Sequence, residues 1–289
     1  MKSLDDIQEV AVLGAGTMGH GIAQVAAQAG CNTVLYDISD VIVETGRAAI
    51  AAMLDKGVQK GKVSEEQRET TLARITTSTM LQDAVRDADA VIEAAPEKLD
   101  LKREIFSDIL EVVSNDCILA TNTSSLSISA IAECLPEPDR HRFVGLHFFN
   151  PPPLMKLLEI VRGDLTSDVC VEACRALGER LGKDPIVVRD APGFASSRLG
   201  IVLGLEAIRM VQEDVASVAD IDKAMELGYR HPMGPLKLTD LVGLDVRLAI
   251  AEYLAQELDD TRFEPPQLLC DMVAQGKLGK KTGSGFYDW

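Results

Sequence analysis

The chain has 289 residues, 46% of them hydrophobic, and a formal net charge of −16. That length supports one large or two ordinary domains with a substantial core. The charge argues against a nucleic-acid or anionic-membrane partner, and no apolar run approaches the roughly 18 residues that a membrane span needs.

The start, MKSLDDIQEV, has no apolar signal core and carries acids at Asp5, Asp6 and Glu9, so neither a secretory nor a transit peptide is expected. Cys31, Cys117, Cys134, Cys170, Cys174 and Cys270 lie scattered in apolar or helical contexts. They read as reduced thiols in a cytoplasmic protein. The chain has four histidines and no HExxH-like spacing, so no protein-held metal is expected.

Residues 9–13, EVAVL, form an apolar run that reads as a buried parallel strand. Gly14-Ala15-Gly16-Thr17-Met18-Gly19 follows at once, then an alanine-rich helix ending at Gly30. Asn32–Tyr36 is a second strand, closed by Asp37, which stands 18 residues after Gly19. A glycine pattern between strand and helix with an acid at that distance is a dinucleotide-binding arrangement. Gly14 permits the tight turn, Gly16 lets backbone approach the pyrophosphate, and Gly19 lets the helix pack on the strand. The pyrophosphate meets the helix N-terminus at Thr17 and Met18. Asp37 would bind the adenosine ribose hydroxyls and repel a 2′-phosphate, favouring NAD over NADP. Its other reading is a helix N-cap acid.

Residues 40–62 read as a long helix in which Lys56 and Lys60 share a face. These lysines are either a solvated basic face or a phosphate site. A helix over 64–73 opens with a capping box, Ser64-Glu65-Glu66-Gln67. Residues 88–97 are a buried strand ending at Glu93-Ala94-Ala95-Pro96-Glu97, and 98–113 an amphipathic helix. The strand CILAT, 117–121, carries Asn122-Thr123-Ser124-Ser125 at its C-terminal end. These small polar groups either cap the next helix or touch a ligand.

VGLHFF and LMKLLEIV are two apolar runs joined at Asn150-Pro151-Pro152-Pro153. Prolines end both strands and helices. An antiparallel hairpin centred on Pro153 sets His147 opposite Glu159 on one face. A carboxylate there can take the proton of one imidazole nitrogen and turn the other toward a substrate, an oriented general acid/base. The alternatives are a core histidine with a satisfied hydrogen bond or an exposed pair on an edge. A helix over 167–181 and a strand at 185–188 follow. After Asp190-Ala191-Pro192-Gly193 only helical patterns remain: 194–213, 219–227, 239–257 and 266–275. The expected fold is α/β, with a Rossmann-like, mostly parallel sheet domain over 1–190 and an all-helical domain over 191–289. The apolar faces of the second domain exceed what it can hide alone, which points to a homodimer.

The chain resembles the L-3-hydroxyacyl-CoA dehydrogenase family, in particular its short single-function members acting on 3-hydroxybutyryl-CoA. The resemblance spans nearly the whole chain. It rests on GAGTMGHGIAQ (14–24), IEAAPE (92–97), NTSSLSI (122–128), GLHFFNPPPLMKLLEI (145–160), GYRHPMGPLKLTDLVGLD (228–245) and GKKTGSGFY (279–287). It implies NAD-dependent oxidation of the (S)-3-hydroxyl of an acyl-CoA to the 3-keto form and the reverse. It also implies a helical dimerisation domain and substrate bound between the domains. His147 matches the catalytic histidine, Glu159 its carboxylate partner and Ser124 the active-site serine. Asn122 and Asn150 match polar positions on the cofactor or substrate side, Lys56 and Lys60 the positions that meet CoA phosphates, and Glu97 and Lys102 a pair beside the nicotinamide. One position departs: Pro192-Gly193-Phe194-Ala195-Ser196-Ser197-Arg198 has Ser197 where the family carries asparagine. Serine is shorter and has one donor in place of an amide. The alternatives are a dehydrogenase of a free 3-hydroxy (sugar) acid on the same scaffold, or a non-catalytic NAD-binding protein.

Overall fold

The computed structural model describes residues 7–289; Met1–Asp6, and with them part of the reading of the chain's start, lie outside the described residues. Contacts divide the chain into two compact units, Met1–Ala191 and Pro192–Trp289.

The first unit is built on β1 (Glu9–Leu13), α1 (Gly19–Gln28), β2 (Asn32–Tyr36), α2 (Asp40–Gln59), α3 (Glu65–Ala73), β3 (Ile75–Ser78), α4 (Leu81–Val85), β4 (Ala90–Glu93), α5 (Leu99–Leu110), β5 (Ile118–Thr121), α6 (Ile128–Ala132), β6 (Phe143–Phe148), β7 (Leu157–Arg162), α7 (Asp168–Arg180) and β8 (Asp184–Arg189). The strands form one sheet in the order β3-β2-β1-β4-β5-β6-β7-β8. β1 to β6 run parallel; β7 pairs antiparallel with β6, and β8 parallel with β7. The chain leaves β1 toward β3 and then returns to build outward from β4. The order reverses between β1 and β4, and open α/β sheets bind ligands at such a point, beyond the carboxyl ends of the strands.

The central strands are nearly continuous hydrophobic runs because both faces are covered: Val10, Val12, Ile92, Ile118, Val144 and Ile160 are all in the core. α1 approaches closely because its inner face is made of small residues. A Cβ on Gly19 would stand 1.6 Å from the Gly14 carbonyl oxygen. The capping box at α3 is present in full, with Ser64 Oγ accepting from Gln67 N and Gln67 Oε1 accepting from Ser64 N.

The second unit holds α8 (Ser196–Gln212), α9 (Val218–Gly228), α10 (Pro235–Val242), α11 (Leu244–Leu258) and α12 (Gln267–Ala274) around Ile201, Leu205, Ile208, Leu236, Leu254 and Leu269. Its tail is tied down by two buried carboxylates. Asp240 accepts from Phe286 N, Tyr287 N and Trp289 Nε1 at 2.8–2.9 Å, and Asp222 from Leu236 N, Lys237 N and the Tyr287 hydroxyl.

Three readings of the sequence change. The strand expected over 88–97 is confined to Ala90–Glu93, and a short helix and an edge strand, α4 and β3, fill the stretch before it. The helix expected over 239–257 is two, α10 and α11, parted by Gly243 at φ 104°. The helix expected to reach 62 stops at Gln59.

Candidate active site

The C-terminal edge of the parallel strands gathers most of the residues singled out by the sequence. At the end of β1, Gly14 has φ 107°, and a Cβ there would lie 2.6 Å from the Ala94 carbonyl oxygen. A Cβ on Gly16 would meet nothing within 4 Å, so that side of the turn is open to an approaching group. Met18, the N-cap of α1, provides no side-chain cap, and in the first turn His20 N donates to Gly16 O at 3.2 Å. Thr17 beside it is exposed. Asp37 follows β2. Its Oδ2 accepts from Ala15 N at 2.8 Å and its Oδ1 from Ile38 N at 2.8 Å, which holds the carboxylate against the turn. It is not the N-cap of α2, a place taken by Ser39.

The ends of β4 and β5 carry a carboxylate cluster. Glu93 and Lys102 are both fully buried, with Lys102 Nζ 2.6 Å from Glu93 Oε1; Thr121 Oγ1 donates to Glu93 Oε2 at 2.6 Å. Lys102 lies 3.5 Å from Glu97 Oε2. Glu97 Oε1 in turn accepts from Thr123 Oγ1 (2.5 Å), Ser124 N (2.9 Å), Ser125 N (3.1 Å) and Ser125 Oγ (3.1 Å). Burial opposes the charge of Glu97 more than any other single effect. The hydrogen bond from Thr123, the Lys102 ammonium and the bonds from Ser124 and Ser125 together still hold its carboxyl below the usual range. The expected pairing of Lys102 with Glu97 is thus present, at the longer of the two distances that Lys102 makes to a carboxylate. Its primary partner is Glu93, which sequence reasoning noted only as a strand end. The available signal was an acid closing the otherwise apolar run Ala90-Val91-Ile92. Lys102, 1% exposed, acts on these carboxylates rather than reaching outward.

β6 and β7 have the expected register, with His147 opposite Glu159. Nδ1 of His147 lies 2.7 Å from Glu159 Oε2; the histidine is 5% exposed and the carboxylate 0%. The Phe149 ring packs on the imidazole with centroids 4.6 Å apart. Asn122 Oδ1 accepts from Phe148 N at 2.9 Å, so this asparagine fixes the end of β6 beside His147. Ser124 and Asn150 are exposed. Lys56 and Lys60 are exposed at the C-terminal end of α2. Ser197 belongs to the second unit, half-buried in the first turn of α8.

The family model described as "3-hydroxyacyl-CoA dehydrogenase, NAD binding domain" matches residues 9–191, and that described as "3-hydroxyacyl-CoA dehydrogenase, C-terminal domain" matches residues 193–289. The chain belongs to the 3-hydroxyacyl-CoA dehydrogenase family. A 3-hydroxybutyryl-CoA dehydrogenase of Bradyrhizobium diazoefficiens is 44% identical over 98% of this chain and 96% of its own length. A probable 3-hydroxybutyryl-CoA dehydrogenase of Deinococcus radiodurans is 45% identical over 96% and 99%. The crystal structure of (S)-3-hydroxybutyryl-CoA dehydrogenase PaaH1 from Ralstonia eutropha superposes with a TM-score of 0.94 at 45% identity, covering 98% of this chain and 99% of that one.

The residues of this 3-hydroxyacyl-CoA dehydrogenase fit NAD. The open side of Gly16 and the amides at the start of α1 suit a pyrophosphate, and the tethered Asp37 carboxylate suits two ribose hydroxyls. His147 and Glu159 form a buried hydrogen-bonded pair, and the exposed Ser124 follows the C-terminal end of β5.

Lys102→Met leaves Glu93 buried without its cation. Loss of one partner of a buried pair costs about 3–5 kcal/mol. Urea unfolding followed by circular dichroism is expected to show that loss. An unchanged midpoint and slope would mean that the pair contributes nothing net.

Proposed function

We propose that this NAD-dependent dehydrogenase acts on short acyl chains, 3-hydroxybutyryl-CoA foremost, with His147 as its general acid/base. One observation carries the reading: the buried His147–Glu159 pair at 2.7 Å, on the sheet edge that also bears the dinucleotide turn. The names of relatives 44–45% identical over almost their whole length support the choice of substrate.

Held by the Gly14–Gly19 turn and Asp37, NAD would supply the hydride acceptor for C3 of the hydroxyacyl group and, when reduced, the hydride donor of the reverse reaction. Glu159 accepts a hydrogen bond from Nδ1–H and so leaves the basic lone pair of the neutral imidazole on Nε2. Nε2 takes the proton of the 3-hydroxyl as the ketone forms. The imidazolium that results stands beside a buried carboxylate, which stabilises it. In reduction Nε2–H gives the proton back. Ser124 donates its hydroxyl to the reacting oxygen, in the manner of an oxyanion site. Glu97, which accepts from the Thr123 hydroxyl and the Ser124 and Ser125 amides, holds the backbone that carries that hydroxyl. Ser197 takes the position of the family's asparagine through its single hydroxyl, directly or through a water. Asn150 is assigned to the cofactor or substrate side. Lys56 and Lys60 meet the CoA phosphates.

The enzyme is also proposed to be a cytoplasmic homodimer. No helix among the described residues is long and apolar enough to cross a membrane. Leu199, Leu227, Tyr229, Leu238, Val242 and Val246 of the second unit are exposed, a set of apolar side chains that a second copy would cover.

Three measurements check these assignments. With acetoacetyl-CoA and NADH, His147→Gln is expected to lower kcat about 10²–10⁴-fold while NADH binds with unchanged affinity. Near-normal turnover would remove His147 from the chemistry. The double change Lys56→Ala, Lys60→Ala is expected to raise KM for acetoacetyl-CoA several-fold and leave any slow reaction with free acetoacetate unaltered. Equal effects on both would dissociate the lysines from CoA. Light scattering at micromolar concentration should return twice the 31.2 kDa chain mass; the mass of one chain refutes the dimer.

A further inference from the structure

The connection between β6 and β7 is poor in donors. Pro151, Pro152 and Pro153 have no N–H groups, yet their carbonyls need partners. The Pro151 carbonyl accepts from Leu154 N at 3.0 Å and Met155 N at 3.1 Å, within the loop. The carbonyls of Pro152 and Met155 both accept from the Nζ of Lys183, the second at 2.9 Å.

Lys183 is not a surface residue. It is 6% exposed and lies in the turn between α7 and β8. Its own backbone is fixed, with Lys183 N donating to Gly178 O at 2.9 Å and Asp184 N to Lys156 O at 2.8 Å. Burial pushes its ammonium pKa down. Neutral carbonyls are the acceptors that the ammonium is bonded to. Burying an ammonium is costly, so its placement on two carbonyls of one loop points to a requirement for that loop's position.

The opposite side of the loop rests on α1. A Cβ added at Gly21 would lie 2.7 Å from Pro152 Cδ and 2.9 Å from its Cγ. The Pro152 ring therefore fills the notch that Gly21 leaves, two residues into the helix that starts at Gly19. The loop is gripped between Lys183 and the helix whose first turn receives the dinucleotide. Its two ends run directly into the strands that bear His147 and Glu159.

We propose that Lys183 is a positioning residue for the acid/base pair. It clamps the turn of the β6–β7 hairpin onto α1 and so fixes where the His147 imidazole stands relative to the cofactor. The proposal rests on the reading of His147 given above. A misplacement of about 1 Å from a remote change can cost about 10²-fold in rate.

Lys183→Met keeps most of the side-chain volume and removes the donors. With acetoacetyl-CoA and NADH, the full-length variant is expected to lose about 10- to 100-fold in kcat. Its NADH dissociation constant should stay within about twofold of the parent, since the dinucleotide turn is untouched. The deuterium isotope effect from 4-deuterated NADH should rise, as hydride and proton transfer become slower than release. Lys183→Arg, which keeps the donors, should recover most of kcat. Gly21→Ala presses on Pro152 from the other side with Lys183 intact, and should give the same kcat and isotope signature; it decides the matter if Lys183→Met does not fold. Parental kcat and isotope effect in the folded variants overturn the proposal, as does a loss of NADH affinity equal to the loss in turnover. Nitrogen-15 imidazole spectra provide a readout independent of activity, with the His147 signals assigned by their absence in His147→Gln. Shifts of the His147 signals in Lys183→Met, with those of His20, His141 and His231 unmoved, uphold the clamp. His147 signals identical to the parent overturn it. A parent inactive toward the thioester would refute the substrate reading, and these spectra would still judge the clamp.

Discussion

The antiparallel register of β6 against β7 is the constraint on which the site depends. Side chains alternate along a strand, so a slip of one residue would carry His147 or Glu159 to the other face of the sheet. The sheet is otherwise parallel up to β6, and a parallel neighbour to β6 would need a long crossover that a short loop cannot supply. A tight, proline-rich return gives the one geometry in which two residues twelve apart face each other across a strand pair. The pair then lies at the edge where β1, β4 and β5 also end. One reversal of direction thus sets the His147–Glu159 pair on the same sheet edge as the glycine turn made by a different part of the chain.

The ends of β4 and β5 on the same sheet edge carry a set of polar groups, each bonded to a group from another element. Asn122 reaches from the end of β5 to the backbone of β6. Thr121 and Lys102 converge on Glu93, and Glu97 draws together the amides of Ser124 and Ser125. A buried ion pair is a poor source of stability compared with apolar packing of the same volume. Its presence at the carboxyl end of β4 makes sense as positioning. The Lys102 ammonium lies 2.6 Å from one carboxylate and 3.5 Å from the other, so it ties the strand end to the serine-bearing turn.

How much of this was legible in the residues follows from how local each signal is. The turn at Gly14–Gly19 is a backbone requirement of a few consecutive residues, and Asp37 follows at a fixed distance. The hairpin was legible because three prolines mark its centre and alternation does the rest. β3 was not: Ile75-Thr76-Thr77-Ser78 is four residues of mixed polarity at a sheet edge, where neighbouring strands decide pairing more than composition does. The break at Gly243 was hidden because apolar periodicity continues through it, and only a backbone with φ 104° reveals the stop. The nearer partner of Lys102, Glu93, was not legible for a related reason. Glu97 is nearer in sequence, but it stands outside the strand, whereas Glu93 is fully buried at the strand's end. Low-dielectric surroundings favour the pairing of charges that have no access to water.

The charge distribution completes the account. A chain of net charge −16 repels polyanions at long range, yet NAD and CoA both carry phosphates. At physiological ionic strength, charges further apart than about 8 Å are largely screened, so the overall acidity has little bearing on a bound phosphate. What matters is the charge within one or two ångström-scale shells. At α1 that is a helix N-terminus without a side-chain cap, equivalent to roughly half a positive charge. At the end of α2 it is two exposed lysines four residues apart. Asp37 adds a negative charge where ribose hydroxyls would lie, at the one place where a further phosphate would distinguish NADP. In the reading proposed above, the helix N-terminus and the two lysines, and not the overall acidity, meet the phosphates.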